Sequence, residues 1–194
     1  MIRELHFPTA VYIFDHNDAS LNIQLEKDIL NWMNHDKGMS KTNIKGWHST
    51  TDMNTKPEYK RLVQGLYEAQ FKIYEEEHLD SEPFLGGMWA NVNPPGGMNR
   101  AHMHPNSLWS GVYYVKAPKN CGALKIDDPR TSAAMCRPRM KEGDVPTRLY
   151  RETNCEPIAG RLIMFPSWVT HCVDPNDSDD LRISVSFNFL QKGM

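Results

Sequence analysis

The hydrophobic positions of this chain follow two rhythms, and the change falls near residue 84. Before it, apolar residues recur at helical spacing. Leu25, Ile29 and Met33 lie four apart, with Leu21, Ile23 and Leu30 beside them, which predicts an amphipathic helix over residues 20–35. Leu62, Leu66 and Phe71, flanked by Val63, Tyr67 and Tyr74, predict a second helix over 57–79. Pro57 suits its first turn, and Glu75, Glu76 and Glu77 form its solvated end. A short apolar run at 10–14 leads into Asp15-His-Asn-Asp18 and reads as a strand followed by a turn or cap. Residues 43–52 read as extended or loop.

After residue 84 the period shortens to two. Residues 84–93, 99–104, 108–116, 122–126, 161–165, 169–173 and 182–190 read as strands, with turns at Pro94-Pro-Gly-Gly97 and Asp174-Pro-Asn-Asp177. Helices followed by many short strands predict a mainly β fold with flanking helices. The expected form is a double-stranded β-helix, or jelly roll, with the N-terminal helices packed on one sheet. A length of 194 residues fits one domain, 1–194, with 1–83 as helical support and 84–190 as the jelly-roll core. Between 127 and 160 there is little periodicity, and this stretch holds Arg130, Arg137, Arg139 and Arg148. It reads equally as a lid over a site or as an insert with no direct role.

The last strand is the most regular. Ile183, Val185, Phe187 and Phe189 alternate with Arg182, Ser184, Ser186 and Asn188, so one face must meet a core while the other is polar. The polar face suits solvent. It equally suits a carboxylate pocket, where a guanidinium supplies a charged fork and hydroxyls supply neutral donors.

Composition narrows the setting. Hydrophobic residues make up 40% and charged residues 24%, and the formal net charge is −2, so no basic bias points to nucleic acid. No apolar run approaches the roughly 18 residues of a membrane span. The beginning of the sequence carries no apolar signal-peptide core, which predicts a cytoplasmic protein. Cys121, Cys136, Cys155 and Cys172 form no C-x-x-C pair and are expected to be free thiols. The thiol of Cys172 should point away from the face that carries His171.

Candidate chemistry is concentrated in four residues. His102 and His104, two apart in Arg100-Ala-His-Met-His-Pro-Asn106, put both imidazoles on one side of an extended segment. A distant third imidazole, His171, could close a facial metal site. Arg182 could then grip the carboxylate of a metal-bound molecule. Gly111 would permit close packing between strands. Tyr113 and Tyr114 must face opposite sides, one toward a core and one toward a pocket. His6, His16, His35, His48 and His78 lack ligand spacing and read as surface or packing residues.

The order His102-x-His104, a long gap, His171, a short gap and Arg182 on the final strand resembles the Fe(II)/2-oxoglutarate-dependent dioxygenases. Gly160-Arg-Leu-Ile-Met-Phe-Pro166 ahead of the distal histidine and Arg182-Ile-Ser-Val-Ser186 fit the same pattern. Trp-Ala-Asn-Val, His-Pro-Asn-Ser-Leu-Trp-Ser-Gly-Val-Tyr-Tyr-Val, Asp-Asp-Pro-Arg and Phe-Pro-Ser-Trp-Val-Thr-His look like a group of small, mostly uncharacterised members from bacteria and their phages. The resemblance spans 84–190.

It implies Fe(II), 2-oxoglutarate and O2 as cofactor and co-substrates. His102, His104 and His171 would be the ligands, and Arg182, with Tyr114, Ser186 and Asn91, would hold the 2-oxo acid. No catalytic residue beyond the metal ligands is implied. One departure stands out, because His104 occupies the family's carboxylate ligand position. Three neutral imidazoles leave Fe(II) at +2, which dianionic 2-oxoglutarate would neutralise. Alternatively His102 is not a ligand, and an acid such as Asp127 or Asp174 completes the site. Asn91, Asn93 and Asn106 are candidate partners for the ligand rings, with loop capping the plainer role for Asn106.

The implied activity is hydroxylation of an unknown substrate, coupled to conversion of 2-oxoglutarate to succinate. The prolyl-hydroxylase-like pattern points to a peptide or protein side chain. A three-histidine cupin-type dioxygenase that uses no 2-oxo acid is the alternative, and a non-enzymatic β-sandwich with a structural metal is a third. Apolar strands could also pair two copies into a homodimer.

Overall fold

The protein is described here by a computed structural model covering residues 1–80, 82–135 and 138–191; Cys136 and Arg137 lie outside these described residues. Strand β1 (Tyr12–Asp15) is followed by α1 (Ala19–His35), two short strands β2 (Asn43–Ile44) and β3 (Trp47–His48), and α2 (Lys60–Glu76). The β-rich portion comprises β4 (Pro83–Asn93), β5 (Met98–His102), β6 (Trp109–Lys116), β7 (Leu124–Asp127), β8 (Glu152–Cys155), β9 (Arg161–Pro166), β10 (His171–Val173) and β11 (Arg182–Gln191).

The helices form where the spacing predicts them. Asp18 caps α1 by accepting the Leu21 N–H at 3.0 Å, which satisfies one of the free donors of the first turn. Leu25 and Ile29 of α1 are fully buried, as are Leu66 and Ile73 of α2 to within 1%. Two details differ from expectation. Pro57–Tyr59 forms a separate 3-10 turn, so α2 begins only at Lys60. Phe71 is 53% exposed, because the buried stripe runs Leu62, Leu66, Ala69, Ile73 and residue 71 falls outside it.

The strands form two antiparallel sheets, ordered β1-β9-β6-β11-β4-β3 and β2-β5-β10-β7-β8. This is the expected double-stranded β-helix with helices on one sheet. Along β11, Ile183, Val185, Phe187 and Phe189 join the core formed with α1 and α2, each at 0% exposure. The same alternation in β6 and β9 sends Tyr113, Leu162 and Met164 to the helix side. Val112, Tyr114, Ile163 and Phe165 turn inward, where they meet Leu124, Ile126 and Val169. The six-stranded sheet is therefore covered on both faces, which is why β6 and β9 read as nearly continuous apolar runs. Gly111 lies opposite Phe187, and a Cβ there would come 2.3 Å from the Phe187 ring and 2.9 Å from the Ile163 carbonyl oxygen. The predicted close approach of strands is therefore real, and only hydrogen fits in that gap.

Two strand limits and one additional strand depart from the sequence reading. β5 ends at His102, so His104 sits just beyond it, and β10 begins at His171 rather than at Val169. Within the stretch that lacked periodicity, Glu152–Cys155 pairs with β7 as an additional edge strand. Its first three residues are exposed, so no apolar alternation marked it. No helix of the described residues is long and apolar enough to cross a membrane.

Candidate metal and co-substrate site

The inner, polar face of β11 opens onto a cavity of about 310 Å³, at the small end of ligand pockets. His102, His104, His171, Arg182, Tyr114, Ser186 and Asn91 all line it. These seven residues expected from the sequence therefore converge on one space.

Strand pairing brings the imidazoles together. His171 of β10 lies directly across from His102 of β5, with ring centroids 4.3 Å apart. His104 is carried on the loop after β5 and pinned by its backbone N–H, which donates to the Ser167 carbonyl at 3.0 Å. Its ring centroid lies 4.9 Å from that of His102 and 5.1 Å from that of His171. One nitrogen of each ring lies within 4.8 Å of the other two. Three imidazole nitrogens at about 2.1 Å from one ion in a facial set stand about 3 Å apart, so the rings must close inward to coordinate together.

The hydrogen bonds favour that use. Nδ1 of His102 faces the Arg100 carbonyl at 2.7 Å, and Nδ1 of His171 faces the Val169 carbonyl at 2.9 Å. A carbonyl only accepts, so each Nδ1 carries the proton and each Nε2 keeps its lone pair. Burial adds to this. It lowers the pKa of His102, brings His104 down to about 4 and His171 down to about 3, with the neighbouring imidazoles contributing to the last two. The rings are thus neutral and ligand-competent at physiological pH. Among the described residues no carboxylate joins the cluster. Asp174 instead pairs with Lys125 at 3.4 Å, which removes the support for an acid as third ligand.

These depressed values fix a sign for stability. As pH falls below 6.5, the unfolded chain takes up protons that the folded His171 and His104 refuse, so the metal-free fold loses stability from pH 6.5 downward. Asp15, Asp18 and Asp180, held below the usual 3.8 by hydrogen bonds, act only at lower pH. Thermal melts of metal-free protein should therefore show a falling midpoint between pH 6.5 and 5. A midpoint independent of pH across that window contradicts the burial of neutral imidazoles.

Arg182 lines the same cavity and is 1% exposed. Its Nη1 donates to the carbonyls of Cys121, Gly122 (3.3 Å) and Asp174 (3.0 Å), and its Nη2 donates to Gly97 O at 3.3 Å. Gly122 makes this seat possible. Its φ is +83°, and a Cβ there would lie 2.4 Å from Pro175 O and 2.8 Å from Arg182 Nη1. Carbonyls carry partial charge only, and no carboxylate among the described residues pairs with this guanidinium. Burial pulls its pKa down, yet a guanidinium stays charged in proteins. The fork keeps Nε–H and one Nη2–H for a further acceptor. A buried cation without a counter-ion calls for an anionic guest.

The surroundings supply neutral partners. Asn91 Nδ2 donates to Ser186 Oγ at 3.1 Å, while Asn91 Oδ1 and Asn93 Nδ2 are buried with no partner among the described residues. Tyr114 is fully buried, and burial pushes its phenol pKa up, so it remains a neutral donor. Orphaned polar atoms, a guanidinium without a carboxylate partner and a cluster of three neutral imidazoles together fit a metal bearing a small dianion. Asn106 instead takes a left-handed turn conformation, with φ of 63°, outside the cavity lining.

Some cavity residues were not singled out from the sequence. His48, read as a packing residue, is 5% exposed, stacks on Trp89 at 5.5 Å and lines the same cavity. Trp89 in turn packs on His104 at 5.8 Å. Asn188 touches His104 across the cavity. The two-residue strand that carries His48 has no periodicity to reveal it. Asn188 did lie on the polar face of β11, but nothing local links it to His104. None of the described residues in 127–160 lines the cavity. Cys121, Cys155 and Cys172 are free thiols.

Comparison with known proteins agrees with this arrangement. The profile of the family described as putative 2OG-Fe(II) oxygenase matches residues 87–188. No curated protein matches the chain. Among solved structures, a prolyl-4-hydroxylase of Pseudomonas putida superimposes with a TM-score of 0.67 at 18% identity, covering 95% of this chain and 94% of that one. The viral collagen prolyl hydroxylase of Paramecium bursaria Chlorella virus-1, solved with 2-oxoglutarate, gives 0.64 at 12% identity over 92% and 94%. The α-ketoglutarate-dependent epimerase SnoN from nogalamycin biosynthesis gives 0.68 at 12% identity over 94% and 76%.

Proposed function

Since the chain belongs to the 2OG-Fe(II) oxygenase family, whose members are oxidoreductases using Fe(II), 2-oxoglutarate and O2, we propose that it is a hydroxylase with an all-histidine iron site. His102, His104 and His171 would hold the ion through Nε2. Arg182 would take the far carboxylate of 2-oxoglutarate, with Ser186, Tyr114 and Asn91 as neutral partners around it. The observation that carries this reading is the pairing, within one small cavity, of convergent neutral imidazoles and a buried guanidinium without a counter-ion.

When bound, iron and 2-oxoglutarate would supply the oxidising power, drawn from O2 and the decarboxylation of 2-oxoglutarate to succinate. The chain's own contributions are orientation and exclusion of water. The Arg100 and Val169 carbonyls fix two of the ligand rings. Arg182 sets the direction of the co-substrate. Phe165, edge-on to His171 at 4.7 Å, and Trp89 beside His104 wall the site against solvent.

For the substrate, a peptide or protein side chain is the first class to test, because prolyl hydroxylases stand among the structural neighbours. Met103 and Trp168, 51% and 56% exposed, flank the ligand-bearing segments and offer an apolar footing for such a chain. The cupin-type alternative needs no 2-oxo acid and so leaves the buried charge of Arg182 without purpose.

Succinate formation by the reconstituted protein in air decides between them. Slow, uncoupled turnover that requires both Fe(II) and 2-oxoglutarate is the expected result. Succinate at the metal-free background overturns the reading.

A further inference from the structure

His104 differs from the other two rings in what holds it. His102 and His171 each face a backbone carbonyl two residues earlier in the chain, which can only accept. Among the described residues the His104 ring meets no such carbonyl. Its Nδ1 meets the side-chain amide of Asn188, 84 positions away in sequence, with a contact of 3.4 Å. For Nε2 of His104 to offer a lone pair, Nδ1 must carry the proton, so its partner must accept.

Asn188 can present either face. With its nitrogen toward the ring, Asn188 Oδ1 accepts from Ser110 Oγ at 2.8 Å. A half-turn of the terminal amide exchanges oxygen and nitrogen at almost no cost in shape, and the hydrogen-bond network decides between the two. After the turn, Oδ1 accepts the His104 Nδ1 proton and Nδ2 donates to Ser110 Oγ. Ser110 Oγ, no longer needed as a donor to Asn188, gives its proton to Ser167 Oγ, 2.9 Å away. Every member then has a partner. Ser110 is 2% exposed and Ser167 is fully buried.

The backbone holds the relay in place. Asn188 pairs with Ser110 across β6 and with Gly87 across β4, and a register shift follows at Asn188–Phe189. Such an irregularity re-aims the side chains beside it. Ser167 is tied twice to the same region, since its N–H donates to Leu108 O at 3.1 Å and its carbonyl accepts from His104 N.

We propose that Asn188 is the positioning residue of this site, whose amide, backed by Ser110 and Ser167, selects the His104 tautomer that binds metal. A histidine in the position where the family has a carboxylate needs such a device, because a carboxylate has no tautomer to choose. The inference rests on His104 being a ligand.

The test is a metal titration of the stripped full-length protein with Co(II), followed by its visible bands, and with Fe(II) under anaerobic conditions. Asn188→Ala should weaken binding by about 10–100-fold, the usual cost of losing the outer partner of a ligand. Asn188→Asp, which also accepts from Nδ1–H, should restore affinity to near that of the natural protein. In a His104→Asp background the same Asn188→Ala change should cost almost nothing, since no ring remains to orient. Equal losses in both backgrounds, or no rescue by Asn188→Asp, would show that Asn188 serves only the fold and overturn the proposal. Where His104→Asp binds too weakly to titrate, the rescue decides alone. Where Asn188→Ala fails to fold, Ser110→Ala takes its place and should give a smaller loss in the same direction; unchanged affinity counts against the relay. His104→Ala separates the underlying reading. Full metal stoichiometry in that variant removes His104 from the ligand set itself.

Discussion

His171→Ala should yield a folded protein that no longer retains ferrous iron. His171 is the most buried of the three candidate ligands and the only one paired on both sides, with His102 across β5 and Ile126 across β7. Its removal leaves two imidazoles on one edge of the cavity and no facial set. Loss of an outer partner of a metal ligand costs about 10–100-fold in affinity, and loss of the ligand itself should exceed that. The fold should survive, because the ring lines a cavity rather than filling the helix-side core. Iron content after gel filtration, read beside the thermal midpoint, checks both halves. A near-natural midpoint with iron reduced to background is the expected pair of results. One iron per chain in the variant removes His171 from the site.

Arg182→Ala should raise the 2-oxoglutarate requirement by about two to four orders of magnitude, because two hydrogen bonds to a charged partner are lost at about 1.5–3 kcal/mol each. The same change also strips donors from the carbonyls of Cys121, Asp174 and Gly97, so the fold will weaken. Arg182→Lys is the better-behaved companion. It keeps a cation but loses the fork, and should still bind 2-oxoglutarate more weakly than the natural protein. Measuring the dissociation constant on the folded fraction distinguishes an anchor from a staple. If Arg182 only staples the Cys121–Gly122 turn to the Asp174 loop, the midpoint falls while the dissociation constant stays put.

Much of this architecture could be read from alternation. Period two along β11 placed Arg182, Ser184, Ser186 and Asn188 on one face, and the structure turns that face into the cavity. Helical period placed Leu25 and Ile29 inward, and they are buried. The His-x-His spacing put two rings on one side even though β5 stops at His102. What escaped the reading has a common physical cause. β8 is an exposed edge strand, so burial imposes no pattern on it. His48 lies in a strand of two residues, too short for a period. Asn188 was on the right face, but its meaning lies in contacts with Ser110 and His104, which only sheet pairing creates. Phe71 shows the opposite error, an apolar residue counted into a stripe that it misses by a fraction of a turn.

The same view explains why the all-histidine set is compatible with the family's chemistry. Among the described residues no carboxylate joins the three-histidine cluster, yet the cavity holds a guanidinium that favours a dianionic co-substrate. Binding of 2-oxoglutarate would therefore bring the negative charge that the ligand set lacks, and metal and co-substrate should each strengthen the other's binding.

Anaerobic titration of the natural protein with Fe(II) and then 2-oxoglutarate tests the central claim most directly, because it needs no knowledge of the substrate. The account predicts a weak visible charge-transfer band that saturates at one 2-oxoglutarate per iron and one iron per chain, and that is absent from His171→Ala. Iron bound without any such band at saturating 2-oxoglutarate, or a band that persists in His171→Ala, would contradict it.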